Sequence, residues 1–224
     1  MLPRAPRRPS SPRKPRGETR LVNESLPEPT QAQVDACRRC ELWEHATQGV
    51  AGEGPRRARL MLVGEQPGDE EDRQGHPFVG PAGRLLHALL AEAGIPDDSV
   101  FLTNAVKHFF FEPRGKRRIH KTPLQRHIAA CHVWLEAELA RERPAVIVTL
   151  GATALAAVCG TRVAITVART RQLADPAGTP IVATYHPSAI LRVPDHDARV
   201  KLRAALVADL QRAAAVAKQA AKQV

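Results

Sequence analysis

Apolar residues along this chain fall into short unbroken runs, separated by stretches with helical periodicity. Ala58-Arg-Leu-Met-Leu-Val63 is stopped by Gly64, and Val100 to Val106, Ala145 to Leu150 and Pro180 to Tyr185 repeat the pattern. Runs of this length, bounded by glycine or other turn residues, predict buried β-strands. Between the first two, Gly80 to Gly94 carries Leu85, Leu86, Leu89 and Leu90 on one side and ends at a glycine, which predicts a helix with a C-terminal stop. Helices are also predicted over residues 30–46, Leu124 to Arg143, Ala152 to Val158 and Asp195 to about Ala220. Strands that alternate with helices, and are apolar throughout, predict an α/β fold with three α/β/α layers around a central, mostly parallel four-stranded sheet. Ligands of such sheets bind beyond the carboxyl ends of the strands. The segments after Val63, Val106, Leu150 and Tyr185 are therefore where chemistry is expected. No internal repeat is present, which argues against a solenoid.

Composition narrows the class. The 224 residues are 43% apolar, enough for the core of one ordinary domain. The formal net charge is +10, and its placement matters more than its size. Residues 1–20 hold seven Arg/Lys against Glu18 alone, and Arg114 to Arg126 holds six more with no acid, so the remainder carries −2. A basic tail and one basic loop on a nearly neutral body predict contact with a polyanion, nucleic acid before an anionic membrane surface. Prolines at positions 3, 6, 9, 12 and 15 match the three-residue turn of polyproline II, so residues 1–25 are expected to be a disordered basic arm and 26–224 the folded domain. No apolar run is long enough for a transmembrane helix, and the basic start leads into Pro and Ser instead of an apolar signal segment. The expected compartment is the cytosol, where four cysteines read as metal ligands, catalytic groups or core residues in preference to disulfides.

Three of the four strand ends are unusual. Gly64-Glu-Gln-Pro-Gly-Asp-Glu-Glu-Asp72 and Gly75-His-Pro-Phe-Val-Gly80 form a glycine-rich acidic loop, suited to backbone held close to a ligand and to carboxylates facing a developing positive charge. Solvated acids are the plainer reading. Asn104 follows the second strand with an amide able to read the edge of a base, although an Asn there also serves as a turn residue. His186, in Tyr185-His186-Pro187-Ser188, places an imidazole at the same rim. Cys37-Arg-Arg-Cys40 has metal-ligand spacing compatible with zinc, an iron-sulfur cluster or a redox pair.

Taken in order, Gly-Glu-Gln-Pro-Gly-Asp-x-x-Asp, Gly-x-Pro-Phe-Val-Gly-x-Ala-Gly, Thr-Asn-Ala-Val-Lys and His-Pro-Ser resemble a family 4 uracil-DNA glycosylase across about Cys37 to Leu191. The insert Lys116-Arg-Arg-Ile-His-Lys-Thr-Pro123 resembles the loop of the UdgX branch, which cross-links itself to DNA after removing uracil. The resemblance implies a uracil-DNA glycosylase fold and a monomer acting on uracil-containing DNA, single-stranded in preference, in the cytoplasm and at the nucleoid. It implies that Phe78 stacks on the flipped uracil, Asn104 pairs with its edge and His186 stabilises the leaving base, with Gly64 and Ser188 in the same pocket. Glu65, Gln66 and Asp69 occupy the loop that faces C1′ of the sugar, His120 becomes the competing nucleophile, and Arg118 positions the loop or a phosphate.

The family also carries a [4Fe-4S] cluster held by four cysteines. Here His108 stands at the third cysteine position, so two ligand sets follow: Cys37, Cys40, His108 and Cys131, which is preferred, or the three cysteines with Cys159. Phe109 to Phe111 are expected to shield the cluster or pack the loop. An enzyme of the same frame that turns over, and a non-catalytic iron-sulfur or zinc module that binds nucleic acid, are the alternatives.

Overall fold

The structure is a computed structural model that describes residues 26–221; the proline-rich arm of residues 1–25 lies outside them. In chain order the elements are α1 (Gln31–Asp35), a 3-10 turn (Glu41–Glu44), β1 (Leu60–Gly64), α2 (Asp69–Gln74), α3 (Pro81–Glu92), β2 (Val100–Asn104), β3 (Phe111–Arg114), β4 (Arg117–His120), α4 (Gln125–Glu142), β5 (Val146–Leu150), α5 (Ala152–Cys159), α6 (Ile165–Ala168), β6 (Leu173–Ala174), β7 (Pro180–Thr184), α7 (Pro187–Arg192) and α8 (His196–Ala221).

The main sheet has the order β2-β1-β5-β7-β6. Its first four strands are parallel, as their apolar runs require, and every residue of β1, β2 and β5 is buried. Alternate residues of β1 feed two cores. Met61 and Val63 pack with Trp134 and Leu135 of α4 and Leu155 of α5, whereas Leu60 and Leu62 pack with Leu86 and Leu89 of α3 and Leu206 and Leu210 of α8. This is the expected three-layer α/β/α frame. Register sets Gly64 beside Asn104 and Leu150 beside Thr184, so the strand carboxyl ends form one rim. Among the described residues, no helix is long and apolar enough to cross a membrane.

Three expectations are corrected. The sheet has a fifth strand, β6, whose two residues pair antiparallel along the β7 edge; so short a segment carries no periodic signal. The helix expected over residues 30–46 breaks after Asp35, because Arg38 Nη1 donates to the carbonyls of Asp35 and Cys37 and ends the first piece before the cysteines. The basic loop is an antiparallel hairpin, β3 and β4, turning at Gly115 with φ +58°. Its alternation is hidden by charged side chains and by Pro113 on an unburied strand.

Candidate active site

The site starts where β1 and β2 end. A Cβ added to Gly64 would collide with Asn104 Oδ1 and lie 2.7 Å from the Phe78 ring, so only glycine lets these groups converge. Phe78 is buried with φ +59°, a left-handed conformation that strains a bulky residue by on the order of 1 kcal/mol or more. Two devices hold it. Glu71 accepts from Gly68 N at 3.1 Å and Gly80 N at 2.8 Å, closing the loop around Phe78, and any side chain at Gly83 would strike the Phe78 carbonyl. The result is a flat ring fixed beside a buried Asn amide.

Beneath Asn104 lies a network that the sequence reading missed. Lys107 is wholly buried, and its Nζ donates to Thr103 Oγ1 (2.6 Å), the Asn104 carbonyl (2.9 Å) and Glu138 Oε2 (2.7 Å). Glu138, also wholly buried, accepts from Thr103 Oγ1 at 2.7 Å and Gly52 N at 2.9 Å. All three ammonium protons and both carboxylate oxygens are used, which is the condition for a buried ion pair to be tolerated.

The hairpin closes over the acidic loop. Arg118 bonds Asp69 through Nε and Asp72 Oδ2 through Nη1 at 2.5 Å, and its guanidinium lies 5.0 and 5.4 Å from the Phe111 and Phe109 ring centres. Asp72 is sealed from solvent and also accepts from Thr47 N. Partial burial pulls the Asp69 carboxyl up, but Arg118 and Arg73 outweigh it and hold it below the usual range. Asp69 is thus an ion-paired anchor of the hairpin, which meets Glu65 through His120. Glu65 Oε2 accepts from Thr153 Oγ1 at 2.5 Å, leaving Oε1 at 3.4 Å from His120 Nε2. His120 is half exposed, and its partial desolvation lowers its pKa, opposed by Glu65 and aided by Arg192, which favours the neutral imidazole. Gln66, next to Glu65, holds backbone: its Nε2 donates to the carbonyls of Phe110 (3.1 Å) and Lys121 (3.0 Å).

After β7, His186 caps α7. Its Nδ1 accepts from Ser188 N at 3.1 Å and lies 2.8 Å from Ser188 Oγ, while Oγ itself accepts from Arg192 Nη1. An accepting Nδ1 leaves the ring proton on Nε2, where it can be donated to a ligand. Burial, reinforced by the positive charge of Arg192 and by His120, lowers the His186 pKa to about 4. Arg192 and Thr153 are contacts that no local motif announced.

The cysteines form a separate region. The Cys131 thiol is pushed up to about 12, by burial first, with Cys40 and Cys37 adding to it, and Cys131 Sγ accepts from Lys107 N at 3.3 Å. Burial and the neighbouring Cys37 also raise Cys40, and Trp134 Nε1 donates to Cys37 Sγ at 3.2 Å. His108 is buried beside Asp35 and Arg38, and burial lowers its pKa. Cys159 responds to burial and Asp175, not to the other thiols. Among the described residues, no three His, Cys, Asp or Glu side chains close on one ion-sized point.

Residues 51–211 match the profile of the Uracil DNA glycosylase superfamily. A type-4 uracil-DNA glycosylase of Thermotoga maritima is 39% identical over 193 residues, covering 86% of this chain and 95% of that protein. One from Pyrobaculum aerophilum is 34% identical over 175 residues, covering 72% and 82%. One from Sulfurisphaera tokodaii is 42% identical over 120 residues, which span 53% of this chain and 51% of that relative. The matched region contains β1 through most of α8, and with it the whole strand-end rim, so the chain belongs to the uracil DNA glycosylase superfamily.

Proposed function

We propose that this protein excises uracil from DNA, single-stranded in preference, and then retains the abasic sugar as a covalent adduct on His120. Excision follows from the pocket at Gly64. The Phe78 ring offers a stacking wall for a flipped base, and the Asn104 amide can accept from uracil N3–H while donating to O4. The His186 Nε2–H can donate to the uracil oxygen that gathers negative charge as C1′–N1 breaks. Its low pKa keeps the donor neutral, so no imidazolium has to be carried in the free site.

The hairpin is what supports trapping. As the glycosidic electron pair leaves with uracil, C1′ becomes an electrophile, and a lone pair of neutral His120 can form the new N–C1′ bond. The imidazolium so formed lies beside Glu65, whose carboxylate stabilises its charge. Arg114 and Arg117, on the opposite face of the hairpin from Arg118 and His120, are exposed and suited to phosphates of the bound strand. The observation that carries the reading is the 3.4 Å approach of His120 Nε2 to Glu65 Oε1 on a hairpin pinned by Arg118.

We also read the cysteine region as the seat of a [4Fe-4S] cluster. Cys37 and Cys40 both act electrostatically on Cys131, and the N–H groups of Lys107 and Trp134 donate to Cys131 Sγ and Cys37 Sγ. Each thiolate of such a cluster binds a different iron, so the sulfurs need not converge on one point. Those three cysteines with His108 would hold it, and Cys159 would not. The cluster would brace the loops around the site, and no step above passes through it.

The test is a uracil-containing single-stranded oligonucleotide mixed with the protein and run on a denaturing gel. A band that stays shifted supports trapping, and an abasic product without a shifted band means ordinary turnover. No product at all removes the glycosylase reading.

A further inference from the structure

The hairpin that carries His120 is held at both ends, and the second anchor reaches beyond the acidic loop. At its neck, Lys121 N donates to the Phe110 carbonyl at 3.0 Å, and Gln66 clamps the same two residues, also accepting from Phe110 N at 3.1 Å. The Phe110 ring meets the His127 ring edge-on, with centres 5.0 Å apart. His127 has no exposed surface, and its Nδ1 accepts from Leu124 N at 3.2 Å. The ring proton is therefore on Nε2, which donates to Glu41 Oε1 at 2.8 Å. Glu41 directly follows Cys40, and Arg126 Nη2 donates to the same oxygen at 2.7 Å.

The geometry points to Glu41 and His127 as positioning residues for the His120 hairpin, tying the Cys40 segment to the hairpin neck and so holding His120 over Glu65. Their partners are Leu124, Phe110 and Arg126, not Phe78, Asn104 or His186. Loosening this link leaves the uracil pocket intact and frees the trap. The effect on trapping rests on the function proposed above, whereas the effect on the hairpin does not.

The experiment compares the full chain as purified with Glu41→Ala, Glu41→Gln and His127→Phe, after iron and sulfide have been measured in each. Hydrogen exchange is followed over residues 111–120, and uracil released and adduct formed are counted in the same reaction. Loss of one charge-assisted hydrogen bond should speed local opening by about tenfold. Glu41→Ala and His127→Phe are expected to show that acceleration, to retain excision within about twofold, and to lower the adduct formed per uracil released several-fold. Glu41→Gln keeps an acceptor for His127 Nε2–H and should restore most of both. Unchanged exchange in Glu41→Ala and His127→Phe overturns the inference, as does faster exchange with an unchanged adduct fraction. If the parent releases uracil but forms no adduct, the trapping function fails, and the exchange result alone decides whether these residues hold the hairpin.

Discussion

Lys107 Nζ and Glu138 Oε2 stand 2.7 Å apart with both side chains wholly removed from solvent, directly below the Asn104 backbone. Removing one partner strands the other charge, at about 3–5 kcal/mol. Lys107→Met should therefore lower stability by about that amount, and the Lys107→Met/Glu138→Leu double variant should recover part of it. Urea unfolding measures both. In whatever fraction of each protein folds, uracil excision should fall, because Asn104 loses its backbone anchor. Lys107→Met with parental stability would contradict the network's role.

Arg118 and Asp72 form a second pair with different consequences. Asp72 is sealed, whereas Asp69 is 42% exposed, so the Asp72 contact dominates. Arg118→Ala should cost about 2 kcal/mol or more and reduce adduct formation further than excision. Arg118→Lys should not rescue it, since one ammonium cannot span both carboxylates and lie over Phe109 and Phe111 as the planar guanidinium does. Equal loss of excision and adduct would mean that Arg118 serves the whole site and not the hairpin.

Much of the frame was legible because buried parallel strands must be apolar at every position. The hairpin was not, since Arg118 fixes it through long-range contacts with Asp69 and Asp72 that leave no local periodicity. Glu138 could have been found: it lies on the stripe of α4 formed by Cys131, Trp134 and Leu135, where a carboxylate needs a buried cation. Its partner could not, because Lys107 is identified only by the fold that brings β2 against α4. Gly64, Phe78, Asn104 and His186 were legible as residues through motif order, while the left-handed Phe78 and the His186 tautomer came only from geometry.

His186 sets the acid limb of the pH profile. Its pKa falls from the usual 6.5 to about 4 on folding, so the unfolded chain binds the extra proton between those values. Stability from this group is present above pH 6.5 and is lost as pH falls through 4. The single-turnover excision rate should accordingly persist at pH 5 and decline with a midpoint near 4. A midpoint at or above 6.5 would mean that the residue is not desolvated as described.

The cysteine region predicts a brown protein containing iron and sulfide. Cys131→Ala should lose iron and the visible absorbance, and Cys159→Ala should keep both. Stoichiometric zinc without sulfide, after anaerobic purification, would replace the cluster with a different centre.

In the proposed mechanism excision and trapping are separate steps, and His120 performs only the second. The most direct measurement combines a denaturing gel with mass spectrometry of the cross-linked peptide, for the parent and for His120→Ser reacted with uracil-containing single-stranded DNA. The expected result is a DNA remnant on His120 in the parent, and in His120→Ser free uracil and an abasic strand released over multiple turnovers with no shifted band. A remnant mapped to any other residue, or a His120→Ser protein that still cross-links fully, contradicts it.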